Sequence, residues 1–356
     1  MHSMSSPEMN GCDDGLAAFV TARRRLFGIA YRMLGSAAEA EDVVQDAWLR
    51  WQTTDRSVVE NAAAFLTTTT TRLAINVTQS AQVRRETYVG PWLPEPVDTS
   101  ADPQLGAERG EALQFAVLVL MEKLSPTERA AYILREAFDH PYQDIAEILR
   151  LSEENTRQLV SRARKHIADE RRTPVSAVEQ NRLLQAFIAA AQTGDLAGLE
   201  NLLAEQAVSY ADGGGLVRAA RSPVMGRERV AKFIAAVAPH FWNGVTLAPV
   251  EANGQAAVLI SRDGAVVALA TINASAQGIE EILWMMRPSK LAAISSPASR
   301  DWTGEARQAA PPAAEAGGYR HAKTWTSVCR VPGGSRVRFF AALRMTAKNG
   351  GAPEAV

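Results

Sequence analysis

Cysteine is almost missing from this 356-residue chain: Cys12 and Cys329 are the only two, one near each end. So sparse a supply excludes a disulfide framework and a cysteine-built zinc module, and it suits a reducing compartment. Net charge is lacking too. Lys and Arg number 38 against 39 Asp and Glu, a formal charge of −1, so a surface positive throughout is excluded while a local basic face is not. No uncharged apolar run reaches the ~18 residues of a membrane span. The opening MHSMSSPEMNGCDDG lacks the basic-then-apolar order of a secretory signal. These absences predict a cytoplasmic protein that makes no use of a membrane. What remains is ordinary globular material, 47% hydrophobic and 22% charged. Its length favours two or three domains of roughly 100–200 residues.

Residues 16–80 carry helical periodicity. Phe19, Leu26, Ile29, Ala30 and Met33 share a face, and Gly35 supplies a stop. Ser36, three before Glu39, predicts the start of a second helix over 37–51. A third is expected over 62–80, against the β-branched run at 67–71. Residues 81–110 contain Pro91, Pro94, Pro96 and Pro103 and predict an extended linker, in which the apolar pair Trp92-Leu93 needs a surface to dock on. Residues 111–172 turn helical again, with Ser125-Pro126-Thr127-Glu128 as a strong start signal. Over 179–293, helices at 179–192 and 196–203 precede strand-like runs at 207–211, 245–252, 257–262, 266–272 and 279–286. A further helix fits 227–237, and Asp263-Gly264 reads as a type I′ hairpin turn. Helices first and antiparallel strands after predict a small α+β domain. Residues 295–356, rich in Ala, Gly and Pro, read as a disordered tail with one apolar stretch at 337–345.

The stretch PYQDIAEILRLSEENTRQLVSRARKHI, residues 141–167, is the most informative. It predicts a short amphipathic helix with Ile145, Ala146 and Leu149 inward, a tight turn at Leu151-Ser152, and a second helix capped by Ser152. On that second helix Thr156, Val160, Ala163 and Ile167 form the inward stripe. Asn155, Arg157, Gln158, Ser161, Arg162, Arg164 and Lys165 are then left outward, the donors that read base edges and phosphates. A plain helical hairpin with a solvated charged face is the simpler reading. The short helix, tight turn and basic second helix together favour a DNA-binding helix-turn-helix.

The helix at 37–51 has a different character. Val44, Ala47, Trp48 and Trp51 form its apolar stripe, with Asp42, Gln45, Asp46 and Leu49 opposite. That acidic face repels phosphate and suits a basic protein partner. From the residues alone, a solvated face is the simpler reading.

Taken in order, RRRLFGIAYRMLGSAAEAEDVVQDAWLRW, then LSPTERAAYILREAF with the helix-turn-helix, resemble domains two and four of the extracytoplasmic-function sigma factors of bacterial RNA polymerase. Trp92-Leu93-Pro94-Glu95-Pro96 and Asp212-Gly213-Gly214-Gly215 resemble the subgroup with a SnoaL-like domain fused at the C-terminus. The resemblance implies two all-α domains followed by a cone-shaped α+β regulatory domain. It implies core RNA polymerase as partner, with Asp42, Gln45, Asp46 and Leu49 on the β′ clamp helices. It also implies promoter DNA, read upstream by the helix-turn-helix and beside the melted bubble by the end of the third helix. Communication between the halves would run through the linker motif and the DGGG loop. Two departures stand out. NVTQSAQ at 76–82 replaces the family's basic residues, leaving Arg84 and Arg85 to bring positive charge there. Arg287-Pro288-Ser289-Lys290-Leu291 replaces Asn-Pro-Asp-Lys-Leu, a change expected to loosen what that motif clasps.

The cone-shaped fold is shared with ketosteroid-isomerase-type enzymes, which need a base in an apolar pocket facing a donor. Asp212, Tyr210, His240 and Asp263 are the candidates, but turn and cap chemistry already accounts for Asp212, Asp263 and His240. The expectation is a protein that is not an enzyme and needs no cofactor or metal, with a small apolar ligand in the cone as the better alternative to catalysis. A one-component regulator that binds a ligand and an operator without recruiting polymerase is the competing function. It has no need of a domain two.

Overall fold

The computed structural model describes residues 10–99, 114–170 and 173–295, with the side chains of 10–14, 81–86, 170, 293 and 295 also outside the description. The described residues all fall within one unit, Met1–Glu305. The expected tail, with its 337–345 stretch, lies outside the described residues.

The first module is three helices, α1 (Asn10–Leu34), α2 (Ala37–Thr53) and α3 (Ala62–Glu86), with a 3₁₀ turn at Arg56–Val58. Gly35 ends α1 at φ 63°, a conformation that costs glycine nothing. Leu26, Ile29, Ala30 and Met33 of α1 and Val44, Ala47 and Trp51 of α2 are buried as their spacing requires. The threonine run stays helical because Thr67, Thr69, Thr70 and Thr71 pack inside the module, where tertiary burial overrides their weak propensity. With no proline between Ala62 and Pro91, α3 continues past Ser80 to Glu86, into what reads as linker in the sequence.

The second module is α4 (Phe115–Met121), α5 (Pro126–Glu136), α6 (Tyr142–Leu149) and α7 (Glu153–Glu170). Ser125 and Glu128 form the expected reciprocal capping box at the start of α5. Arg150 closes α6 in the left-handed region at φ 56°, and the Ser152 hydroxyl accepts the Asn155 amide to open α7. Both helical modules share one core. Tyr31, Met33, Leu34 and Ala74 from the first pack with Leu118, Leu134, Ile145 and Val160 from the second.

The third module holds α8 (Ala177–Thr193), α9 (Leu196–Leu202), β1 (Leu203–Asp212), β2 (Val224–Met225), α10 (Arg227–Phe241), β3 (Val245–Ala252), β4 (Gln255–Arg262), β5 (Ala265–Ser275), β6 (Gly278–Met285) and α11 (Pro288–Ser295). Its six strands run β2-β1-β6-β5-β4-β3. The sheet is mixed, not antiparallel throughout, because β6 returns beside β1 in the same direction after the α10 crossover. Asp263-Gly264 turns β4 into β5 with both residues at positive φ, and Asn253-Gly254 does the same between β3 and β4. One sheet face packs on α8 and α10 through Phe187, Ile234, Ile272 and Trp284. The other face takes Leu93, Phe115, Leu291 and Ile294.

Candidate nucleic-acid, polymerase and interdomain surfaces

On α7, Thr156, Val160, Ala163 and Ile167 are buried and every expected DNA-reading residue is exposed: Asn155, Arg157, Gln158, Ser161, Arg162, Arg164 and Lys165. The 100° step per residue puts Gln158 and Lys165 opposite the buried stripe, with Ser161 and Arg162 beside them. The arginines lean onto carboxylates. Arg157 Nη2 lies 2.5 Å from Glu153 Oε1, Arg162 Nε 3.2 Å from Glu128 Oε1, and Arg164 Nη2 2.6 Å from Glu136 Oε1. Exposed pairs of this kind are weak, so phosphates can compete for these guanidinium groups. The side chains of Arg84 and Arg85 lie outside the described residues.

On α2, Asp42, Gln45, Asp46 and Leu49 are all exposed on one face, Leu49 at 51%. The opposite face holds Val44, Ala47 and Trp51 in the core and Trp48 half-buried against Phe19. The N-terminus of this helix is capped twice. Ser36 accepts the Glu39 amide, and Glu95 of the linker accepts from Ala37 N at 2.7 Å and from the Ser36 hydroxyl at 3.0 Å. An anion there complements the helix dipole.

The linker residues Trp92, Leu93, Pro94, Glu95 and Pro96 therefore touch both halves. Toward the first module, Glu95 N donates to Gly35 O at 2.8 Å, and a Cβ on Gly35 would meet Trp92 at 2.6 Å. Toward the third, Leu93 is buried in the sheet-face core, worth about 1.5–3 kcal/mol. Its amide donates to Asp212 Oδ2 at 2.9 Å, and its carbonyl accepts from Lys290 Nζ. Lys290 also lies 2.7 Å from Asp212 and 4.3 Å from the Trp92 ring centroid. Tyr88 donates to Asp212 Oδ1 at 2.5 Å, and burial pushes the Tyr88 hydroxyl pKa up. Gly214, at φ 58°, leaves room for Tyr88 and Arg287, while Gly213 and Gly215 pass close to Val217 and Val89. The sequence motifs are thus joined. The clasp is intact despite the altered RPSKL motif, since the retained Lys290 makes its central contact and Arg287 lies over the Tyr88 ring.

A second junction escaped sequence reasoning. Asn253 Nδ2 donates to the Tyr31 hydroxyl at 2.6 Å, and that hydroxyl donates to Glu95 O at 2.6 Å. Val97 N donates to Asn253 Oδ1, and Asn253 N to Val97 O, so the β3–β4 turn extends onto the linker. Asn-Gly between two strand runs was the available signal. Arginine–carbonyl bonds close the seam between the helical modules. Arg72 of α3 caps the end of α6 through Glu147 O and Ile148 O, Arg25 reaches Phe138 O, and buried Arg129 reaches Met33 O at 2.7 Å and Glu122 at 2.7 Å. Burial pulls the Arg129 pKa down to about 9.

The catalytic candidates are not assembled. Asp212 has both carboxylate oxygens engaged, Tyr210 faces the linker side of the sheet, and His240 and Asp263 are exposed. The interior between helices and sheet, expected to hold an apolar ligand, is packed by Phe187, Phe241, Trp242 and Trp284. No described helix is long and apolar enough to cross a membrane.

Two helical modules in series, the second ending in a helix-turn-helix with an exposed donor face, define a DNA-binding transcription factor of the sigma type. Residues 19–85 match Sigma-70 region 2, and residues 114–167 match Sigma-70, region 4. The chain is 36% identical over 235 residues to the ECF RNA polymerase sigma factor SigJ of Mycobacterium tuberculosis, covering 65% of this chain and 75% of that protein. It is 30% identical over 288 residues to the probable ECF RNA polymerase sigma factor SigI of the same species, covering 80% and 97%. The crystal structure of SigJ superposes with a TM-score of 0.63 at 31% identity, over 79% of this chain and 99% of that one. The chain belongs to the ECF RNA polymerase sigma factors.

Proposed function

We propose that the protein recruits core RNA polymerase to promoters through two separate surfaces and that its third module governs their release. Residues 16–80 form the polymerase- and bubble-contacting domain, with Asp42, Gln45, Asp46 and Leu49 on the β′ clamp helices. Residues 111–172 read the upstream element. There Asn155, Arg157 and Gln158, near the start of α7, face base edges, and Ser161, Arg162, Arg164 and Lys165 face phosphates. Arg84 and Arg85 supply charge beside the melted bubble. Residues 179–293 are a SnoaL-like domain acting by contact, not catalysis, through Trp92 to Pro96 and the loop from Asp212 to Gly215.

The observation that carries this reading is the chemistry of two exposed faces: acidic with one leucine on α2, donor-rich on α7. Both modules share a core, so gripping two promoter elements at once requires the seam between them to open. The linker that spans the seam is the segment held by Asp212, Lys290 and Asn253.

In-vitro transcription with bacterial core polymerase, on a template carrying the protein's own upstream region, tests the proposal. A specific transcript is expected from the wild type and none from Asp46→Arg, with the circular-dichroism spectrum unchanged. Absence of both transcript and core binding for the wild type overturns it.

A further inference from the structure

A cavity of about 410 Å³ lies between α4, the segment entering α8, and the sheet face opposite α10. Its floor is a polar row across three strands. Gln255, Asn273 and Glu281 stand side by side on β4, β5 and β6, linked by Gln255 Nε2 to Asn273 Oδ1 at 3.3 Å and Asn273 Nδ2 to Glu281 Oε2 at 2.7 Å. Gln255 is 6% exposed and also accepts the Phe115 amide of α4, which fixes the row against the helix. Val119, Leu120 and Val175 supply apolar walls.

The row does not neutralise its own charge. Burial raises the Glu281 pKa and Glu280 adds to that, while the Asn273 hydrogen bond and then Lys123 offset it only in part. Tyr210, on the neighbouring strand, feels the same negative field. A half-buried carboxylate among amides and hydrocarbon is stabilised by a cation arriving from outside. None of these groups belongs to the polymerase, DNA or linker surfaces above.

We propose that this cavity binds a small organic amine, its ammonium on Glu281 and its hydrocarbon body against Val119, Leu120 and Val175. Such a ligand touches α4 and the sheet together, so it strengthens the hold of the third module on the second. This site stands whether or not the promoter reading does.

The test is isothermal titration of the full-length protein with 1,4-diaminobutane, with n-butanol and butanoate as neutral and anionic controls. Expected results are saturable binding of the diamine in the micromolar-to-millimolar range and none of the controls. Glu281→Gln, which keeps the acceptor for Asn273, should weaken binding at least about tenfold, a difference of about 1.4 kcal/mol. Equal binding of n-butanol, unchanged affinity in a folded Glu281→Gln, or no saturation by about 10 mM diamine overturns the site. The n-butanol comparison needs no variant, so a misfolded mutant does not shelter the proposal.

Discussion

Lys290 Nζ stands 2.7 Å from Asp212 Oδ2, with side-chain exposures of 4% and 0%. The pair is more than an ion contact, because the same carboxylate takes the Leu93 amide and the Tyr88 hydroxyl. Buried pairs survive desolvation only when their remaining lone pairs are satisfied, and this one is. Asp212→Asn strands a buried ammonium and should cost about 3–5 kcal/mol of stability in urea unfolding. Asp212→Leu with Lys290→Met, which removes both charges, should cost less than either single change. A wild-type unfolding midpoint for Asp212→Asn would deny the clasp its role.

Much of this was legible in the sequence, for identifiable reasons. The α7 stripe and the Ser125 cap obey local rules, so spacing alone placed them. Trp92-Leu93 was legible as needing a dock, since an apolar pair amid prolines has no local partner. What it docks on came only from the family resemblance, which set the linker motif beside the Asp212 loop, because Asp212 lies more than a hundred residues away and no periodicity links distant segments. Arg25, Arg72 and Arg129 were missed for a related reason. Their partners are backbone carbonyls, which every residue carries and no motif marks. The parallel β1–β6 pairing escaped because strand runs reveal membership in a sheet, not order.

His140 gives the helical seam a pH dependence. Its Nε2 lies 3.1 Å from Arg25 Nη2, and since arginine only donates, the imidazole is neutral with Nε2 accepting. Burial, then Arg25, lowers its pKa from the usual 6.5, with Asp144 at 4.0 Å opposing. Between the folded and unfolded pKa values the unfolded chain binds more protons, so stability falls as pH drops below about 6.5. His140→Gln keeps an acceptor for Arg25 and should flatten that fall. Urea midpoints at about pH 7.5 and 5.5 measure it, and an unchanged slope would assign the effect elsewhere.

Asn253 ties the third module to the first without taking part in the Asp212 clasp. At φ 55° it occupies a conformation glycine also tolerates, so Asn253→Gly keeps the turn and the backbone bond to Val97 O while deleting the side-chain bonds to Tyr31 and the Val97 amide. The Val97 amide then loses its side-chain acceptor, a cost of about 1–3 kcal/mol if it stays buried. Hydrogen exchange at Val97 should accelerate while the interior of β4 and β5 remains protected. Paired with Tyr31→Phe, the cycle should return a coupling of about 0.5–3 kcal/mol. Strict additivity would mean that the 2.6 Å contact carries no energy.

The two residues opposite the buried stripe of α7 should part company on DNA. Gln158 offers an amide that pairs both ways with an adenine edge, whereas Lys165 offers a point charge suited to phosphate. Gln158→Ala should therefore cost about 1–3 kcal/mol on the cognate element and almost nothing on unrelated duplex. Lys165→Ala should weaken both alike and reduce the slope of log K against log salt by about 1. Glu136→Ala is the counterpart on α5, since it frees the Arg164 guanidinium now held at 2.6 Å. It should raise non-specific affinity and steepen the salt dependence, because one more cation becomes available to displace counterions. Fluorescence-anisotropy titrations of the three variants at several salt concentrations separate these outcomes. If Gln158→Ala and Lys165→Ala had the same effect on cognate and random duplex, α7 would be a phosphate-binding helix and not the reader of the upstream element.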